Sequence, residues 1–181
     1  NNYSPEAVSP NITISGEKTI LNNDGTAKTW GDEDVYNVAL QRISLGGTDS
    51  AHIAIGNPIF ATLNKNQKNY SLEVAQLLAE DGNSPLVFDK VGVYSFIVYE
   101  VYPSDEAQRV PNIKYDTTFA IFSVEVVDDS SGTLKINKVT MHPSRQEVAE
   151  GQNGYEITKN FTNYYQTTIV NIPVLKRVVN Q

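Results

Sequence analysis

The 181 residues carry a net charge of −7, with 14 Lys and Arg against 21 Asp and Glu and no basic cluster, which argues against a nucleic-acid partner. The absence of cysteine excludes disulfides, thiol catalysis and cysteine-ligated metals, and no apolar run is long enough to span a membrane. The two histidines, His52 and His142, lie far apart in sequence and read as loop or core-edge residues, so no metal and no other cofactor is expected.

Short runs rich in Tyr, Val, Ile and Thr, separated by turn residues, make the chain all-β. Strands are expected at Ile12–Lys18, Val35–Ile43, Ala51–Ile55, Leu86–Phe88 and Val93–Tyr102, then at Thr118–Val127, Leu134–Met141, Tyr155–Asn163 and Ile169–Val179. Turn chemistry falls between several of them, in NNDG (Asn22–Gly25), LGGTD (Leu45–Asp49) and DDSSG (Asp128–Gly132). One patch, SLEVAQLLAEDG (Ser71–Gly82), places Leu72, Ala75 and Leu78/Ala79 at helical spacing and predicts a helix. Strands of this number and spacing suggest a sandwich of immunoglobulin-like size.

Side chains alternate along a strand, and three apolar faces then end in a polar residue. Ile12, Ile14 and Gly16 lead to Lys18; Tyr94, Phe96 and Val98 lead to Glu100; Tyr155, Ile157, Lys159 and Phe161 lead to Asn163. Singly, each has an ordinary reading: a lysine reaching water, a glutamate on a rim, an asparagine capping a turn. Together they supply an amine, a carboxyl and a carboxamide on a first, a middle and a late strand. Desolvation pushes a lysine toward its neutral amine and a glutamate toward its protonated acid. A neutral amine is a nucleophile, and a neutral carboxylic acid can polarise a carboxamide and carry protons to departing ammonia. The product is a Lys–Asn isopeptide bond, formed in a single turnover. Period-two counting leaves open which strands are neighbours.

Four segments resemble the isopeptide-linked shaft pilins of Gram-positive bacteria, most nearly the N-terminal domain of the streptococcal T-antigen type. KVGVYSFIVYEV (Lys90–Val101) is similar to that family's glutamate strand, and VPNIKYDTTFAIFSVEV (Val110–Val126) to the segment following it. FTNYY (Phe161–Tyr165) is similar to the segment that supplies the reacting asparagine. ITISGEKTIL, followed by WGDEDVYNVALQ, is similar to the lysine strand and its successor.

The resemblance implies an immunoglobulin-like, CnaB-type β-sandwich over residues 1–168, with Lys18 as nucleophile, Glu100 as proton shuttle and Asn163 as acceptor. Lys28 takes the place of Lys18 if the strand is set differently. Residues 169–181, where Lys176 again sits on an apolar stripe, are expected to open a following domain with Lys176 as its reactive lysine, or to add a strand to this one. The implied setting is a pilus on the bacterial cell wall. Its partners would be other pilin subunits joined by a sortase, together with host surface molecules. No LPXTG-like sorting signal occurs in the sequence, and the position matching the family's shaft lysine is Glu156, with Lys159 nearby as a candidate linkage site. Two other readings stay open: a host-binding adhesin or tip subunit on the same fold, and a carbohydrate-binding sandwich using Trp30 and the tyrosines as a stacking platform.

Overall fold

A computed structural model describes residues 2–46 and 52–167. The predicted strand at Ile169–Val179, Lys176 and most of the turn after Leu45 lie outside the described residues.

The described chain is β-structure throughout, with two single 3-10 turns and no α-helix among the described residues. Two sheets face each other. One is built around β1 (Ile12–Leu21), flanked by β4 (Asn69–Glu73), β11 (Gly154–Thr158) and β12 (Phe161–Tyr165). The short strands β10 (Glu150–Gly151) and β6 (Ile113–Lys114) close its two ends. The other runs in the order β3 (His52–Leu63), β2 (Tyr36–Leu45), β5 (Gly92–Glu100), β7 (Phe119–Asp128), β8 (Leu134–His142), β9 (Glu147–Val148). Its main strands are antiparallel neighbours.

The layer between the sheets explains the alternation in the sequence. Ile12, Ile14 and Ile20 from β1 and Phe161 from β12 meet Val38 and Leu40 from β2, Phe96 and Val98 from β5, and Phe122, Val124 and Val126 from β7. Phe96 stacks on Phe122 with ring centroids 5.3 Å apart. Strand β5 is apolar on both faces because its other side has its own small cluster, in which Ile97 packs with Ile43 and Ile121.

Several predicted elements are corrected. The patch read as a helix is strand β4 followed by a single 3-10 turn at Val74–Gln76. Tyr70, Leu72 and Val74 are buried alternately, a period-two signal inside the same patch, and β1 offers a free edge that an antiparallel strand satisfies. Leu86–Phe88 is not a ladder strand; Phe88 exchanges one pair of backbone hydrogen bonds with Val8. β3 runs on through Gly56 and Pro58 to Leu63, past the expected end at Ile55.

The strand expected at Tyr155–Asn163 is two strands, β11 and β12. Both lie parallel to β1 on one continuous register, Ile12 opposite Tyr155 and Lys18 opposite Phe161. Between them the backbone leaves the ladder at Lys159 and Asn160 and presses against Gly16, where an added Cβ would meet the Lys159 carbonyl oxygen at 1.9 Å. Glycine at position 16 is what admits that approach.

Candidate functional site

The parallel pairing of β1 with β12 places Lys18 opposite Phe161 and Ile20 opposite Asn163. Lys18 and Asn163 are therefore diagonal neighbours, and both face the interior with Ile20 and Phe161. Glu100 comes from the other sheet. It is the last residue of β5, paired with Val38 on one side and lying one residue beyond the last β5–β7 pair, Tyr99 with Phe119. The ladder stops there because the chain before β7 is crossing between sheets, from β6 beside β12 to β7 beside β5. That crossing, Tyr115–Thr118, passes over Glu100 and Asn163.

The three side chains meet. Lys18, Glu100 and Asn163 are 1%, 5% and 0% exposed. Lys18 Nζ contacts Glu100 Oε2 in a short hydrogen-bonded pair, and Asn163 Nδ2 donates to the same oxygen at 3.1 Å. The backbone N–H of Asp116 donates to Asn163 Oδ1 at 2.8 Å and to Glu100 Oε1 at 3.0 Å. Aromatic rings wall the cluster: Lys18 Nζ lies 5.1 Å from the Tyr36 ring centroid, and Tyr36 packs edge-on against Tyr115.

Burial dominates the electrostatics. It lowers the Lys18 pKa from its ordinary value despite the opposing attraction of Glu100, and it raises that of Glu100 despite Lys18 and the hydrogen bonds from Asp116 and Asn163. Both shifts favour the neutral amine beside the neutral acid, although a charged pair is the usual form for these residue types.

The remaining sequence candidates fall elsewhere. Lys28 is not at the cluster: its Nζ bonds Asp34 Oδ2 at 2.8 Å and the Thr29 carbonyl at 3.1 Å. Lys159 was grouped with the inward-facing residues by alternation; the alternation carries across the break between β11 and β12, with Tyr155, Ile157, Phe161 and Asn163 all buried, but Lys159 itself lies out of the ladder. It is half-buried, donating to Thr118 Oγ1 at 2.7 Å and lying over the Phe161 ring. Glu156 is exposed on β11. His142 bonds Ser123 Oγ through Nε2 at 2.8 Å, and His52 lies against Phe119. No group of three or more potential metal ligands occurs among the described residues. Trp30 is buried edge-on against Tyr36, so it offers no surface on which a sugar could stack. Sequence reasoning missed Asp116; its only trace there is its place in YDTT, between the glutamate strand and β7.

A two-sheet β-sandwich with a lysine, a glutamate and an asparagine buried together between its sheets defines the structural class. Residues 14–166 match the family model described as FctA: Spy0128-like isopeptide containing domain, and the chain belongs to that family. The fold is shared with a point mutant of the major pilin from Streptococcus pyogenes, at a TM-score of 0.51 and 15% identity over 84% of this chain and 50% of that one. The T3.2 major pilin of Streptococcus pyogenes is similar at a TM-score of 0.46 and 19% identity, over 88% and 54% of the two chains. The chain thus spans about half the length of the pilins it matches. No curated protein sequence matches it.

Proposed function

We propose that this chain is a structural module of a Gram-positive surface pilus, stapled by a self-catalysed isopeptide bond between Lys18 and Asn163 with Glu100 as the proton carrier. One observation carries the reading: a buried amine and a buried carboxamide nitrogen converge on a single carboxyl oxygen, Glu100 Oε2. In the neutral pair, the Lys18 amine attacks the Asn163 side-chain carbonyl carbon. Glu100 moves a proton from the attacking nitrogen to the departing one, and ammonia leaves. Glu100 ends in the state in which it began, so one turnover completes the chemistry.

Such a bond would close a loop containing most of the chain. By analogy with disulfides this stabilises the fold by about 5 kcal/mol, comparable to the whole stability of a small domain. Because β1 and β12 are parallel neighbours, tension entering near the start and leaving near the end of the domain would pass through the covalent link instead of shearing the ladder between them. That suits a fibre that must hold a cell against flow and resist proteases. Linkage to further subunits by a sortase, and contact with host surfaces, complete the proposal.

Intact mass spectrometry tests it. The folded protein is expected to be lighter than its sequence by one ammonia, with the full mass restored in Glu100→Ala and Asn163→Ala. A wild-type chain of full mass would sink the crosslink and leave a buried polar cluster.

A further inference from the structure

The carboxamide oxygen of Asn163 is turned away from Glu100. It accepts the Asp116 backbone N–H at 2.8 Å, and since an N–H can be met only by an acceptor, this contact fixes which end of the carboxamide points where. The amide nitrogen is thereby directed at Glu100 Oε2. The same N–H reaches Glu100 Oε1. When Glu100 is neutral, this leaves Oε1 as the acceptor oxygen and places the proton on Oε2, between Lys18 Nζ and Asn163 Nδ2.

We propose that the backbone N–H of Asp116 is the oxyanion donor of the crosslinking reaction, and that the Asp116 carboxylate is the positioning group that aims it. The inference rests on the crosslink reading and divides the labour within it: Glu100 moves protons, and Asp116 polarises the carbonyl. As the Lys18 nitrogen lone pair forms its bond to Asn163 Cγ, the carbonyl π pair moves onto Oδ1, directly at the Asp116 N–H. Glu100 gives its Oε2 proton to Nδ2 and takes one from the Lys18 nitrogen. The pair on Oδ1 then returns, the Cγ–Nδ2 bond breaks, and ammonia departs with Glu100 again neutral. The balance is one amine and one carboxamide to one amide and one ammonia, with no further reactant. The charge on Oδ1 exists only near the transition state, so a fixed donor there accelerates the step without merely tightening the ground state.

The placement of that N–H is enforced. The Asp116 carboxylate accepts the Thr118 N–H at 2.7 Å and the Thr118 hydroxyl at 2.6 Å through one oxygen, and the Thr162 N–H at 2.8 Å through the other. Thr162 precedes Asn163 on β12. One side chain therefore ties the crossing loop to the strand that carries the acceptor and holds donor and carbonyl in register.

The test follows ammonia loss by intact mass after dilution of full-length, uncrosslinked protein from denaturant, with circular dichroism and Trp30 fluorescence reporting folding. An amide-to-ester replacement at Asp116, made with the α-hydroxy analogue of aspartate, deletes the N–H and keeps the carboxylate. It is expected to slow crosslinking by about a hundred-fold in chains that fold. Asp116→Ala keeps the N–H and deletes the clamp, and a loss of about ten-fold is expected, with Asp116→Asn between it and wild type. If the ester chain does not fold, the Ala and Asn variants decide alone. Variants that melt earlier yet crosslink at the wild-type rate overturn the proposal and make Asp116 a structural residue only. A wild-type chain that never loses ammonia fails at the prior step, taking the crosslink and this assignment together.

Discussion

Two lysine–carboxylate pairs lie on either side of one tyrosine, and they behave in opposite ways. Tyr36 presents its ring face to Lys18 Nζ, 5.1 Å away, and its hydroxyl to Asp34 Oδ1 at 2.7 Å. On the ring side, Lys18 and Glu100 have side chains fully shielded from water, and burial moves both toward neutrality. On the hydroxyl side, Asp34 is equally buried and burial again pushes its pKa up. There, however, hydrogen bonds from Lys28, Tyr36 and the Gly31 N–H outweigh that push, and the net shift is downward. Each carboxyl group has three hydrogen-bond partners, so their number does not separate the pairs. Depth does: more protein surrounds Glu100 than Asp34, and the Lys28 side chain keeps 14% of its surface in water where Lys18 keeps none. A pair that keeps some contact with water leaves its carboxylate ionised, whereas full desolvation of both groups favours the neutral pair.

The largest effect that sharpens this contrast is expected from Lys18→Met. It abolishes the ammonia loss and lowers stability in denaturant titration by about 5 kcal/mol, the loop-closure value, leaving Glu100 as a neutral buried acid. Lys28→Met should leave the ammonia loss intact and lower stability by about 2 kcal/mol, because a buried carboxylate loses its counter-charge but keeps two hydrogen bonds. A Lys28 variant of full mass would erase the distinction between the pairs.

The pH dependence separates them again. The neutral Lys18–Glu100 pair and the charged pair hold the same single proton, so the crosslinking rate is expected to be flat over a broad central range. It should fall on the acid side as the pair gains a second proton and on the alkaline side as it loses its only one. A rate that climbs steadily with pH, as for an exposed lysine, would contradict the shared proton. Asp34 instead acts on stability. Its folded pKa is depressed, so its contribution is present above its unfolded pKa and is lost as pH falls through the folded value. Asp116, also depressed, adds to the same acid limb because bonds from Thr118 and Thr162 outweigh its burial. Asp34→Asn should therefore flatten the fall of the thermal midpoint below about pH 4.

Much of the buried polar cluster was legible because alternation is a one-residue rule: Lys18, Glu100 and Asn163 each end an apolar run, and each is buried where that run places it. The rule carried across the break to Phe161 and Asn163 and weakened only at Lys159, where the backbone leaves the ladder. Lys159 sits at the break opposite Gly16, and counting through the break assigned it to the core. The pairing of β1 with β12 was not legible, since strand order depends on contacts between segments more than a hundred residues apart; the resemblance to known pilins implied only that Lys18 and Asn163 meet. The Lys28–Asp34–Tyr36 set and the Asp116 N–H were not legible either. The first needs a turn to fold Lys28 back onto Asp34, and the second is a backbone group that no residue type announces.

Tyr36→Phe probes the wall between the two pairs and has the smallest expected effect. The ring that covers Lys18 remains, so the ammonia loss should persist at close to the wild-type rate. The hydroxyl lost is a donor to a buried carboxylate oxygen, at a cost of about 1–2 kcal/mol in denaturant titration. With one donor fewer, the folded pKa of Asp34 rises toward its unfolded value. The pH window over which it withdraws stability then narrows from the acid end, and the midpoint of the variant should stop falling at a higher pH than that of the wild type. If the variant instead crosslinks more slowly while its acid limb is unchanged, the hydroxyl serves the Lys18 side of the ring, and the two pairs form one coupled network.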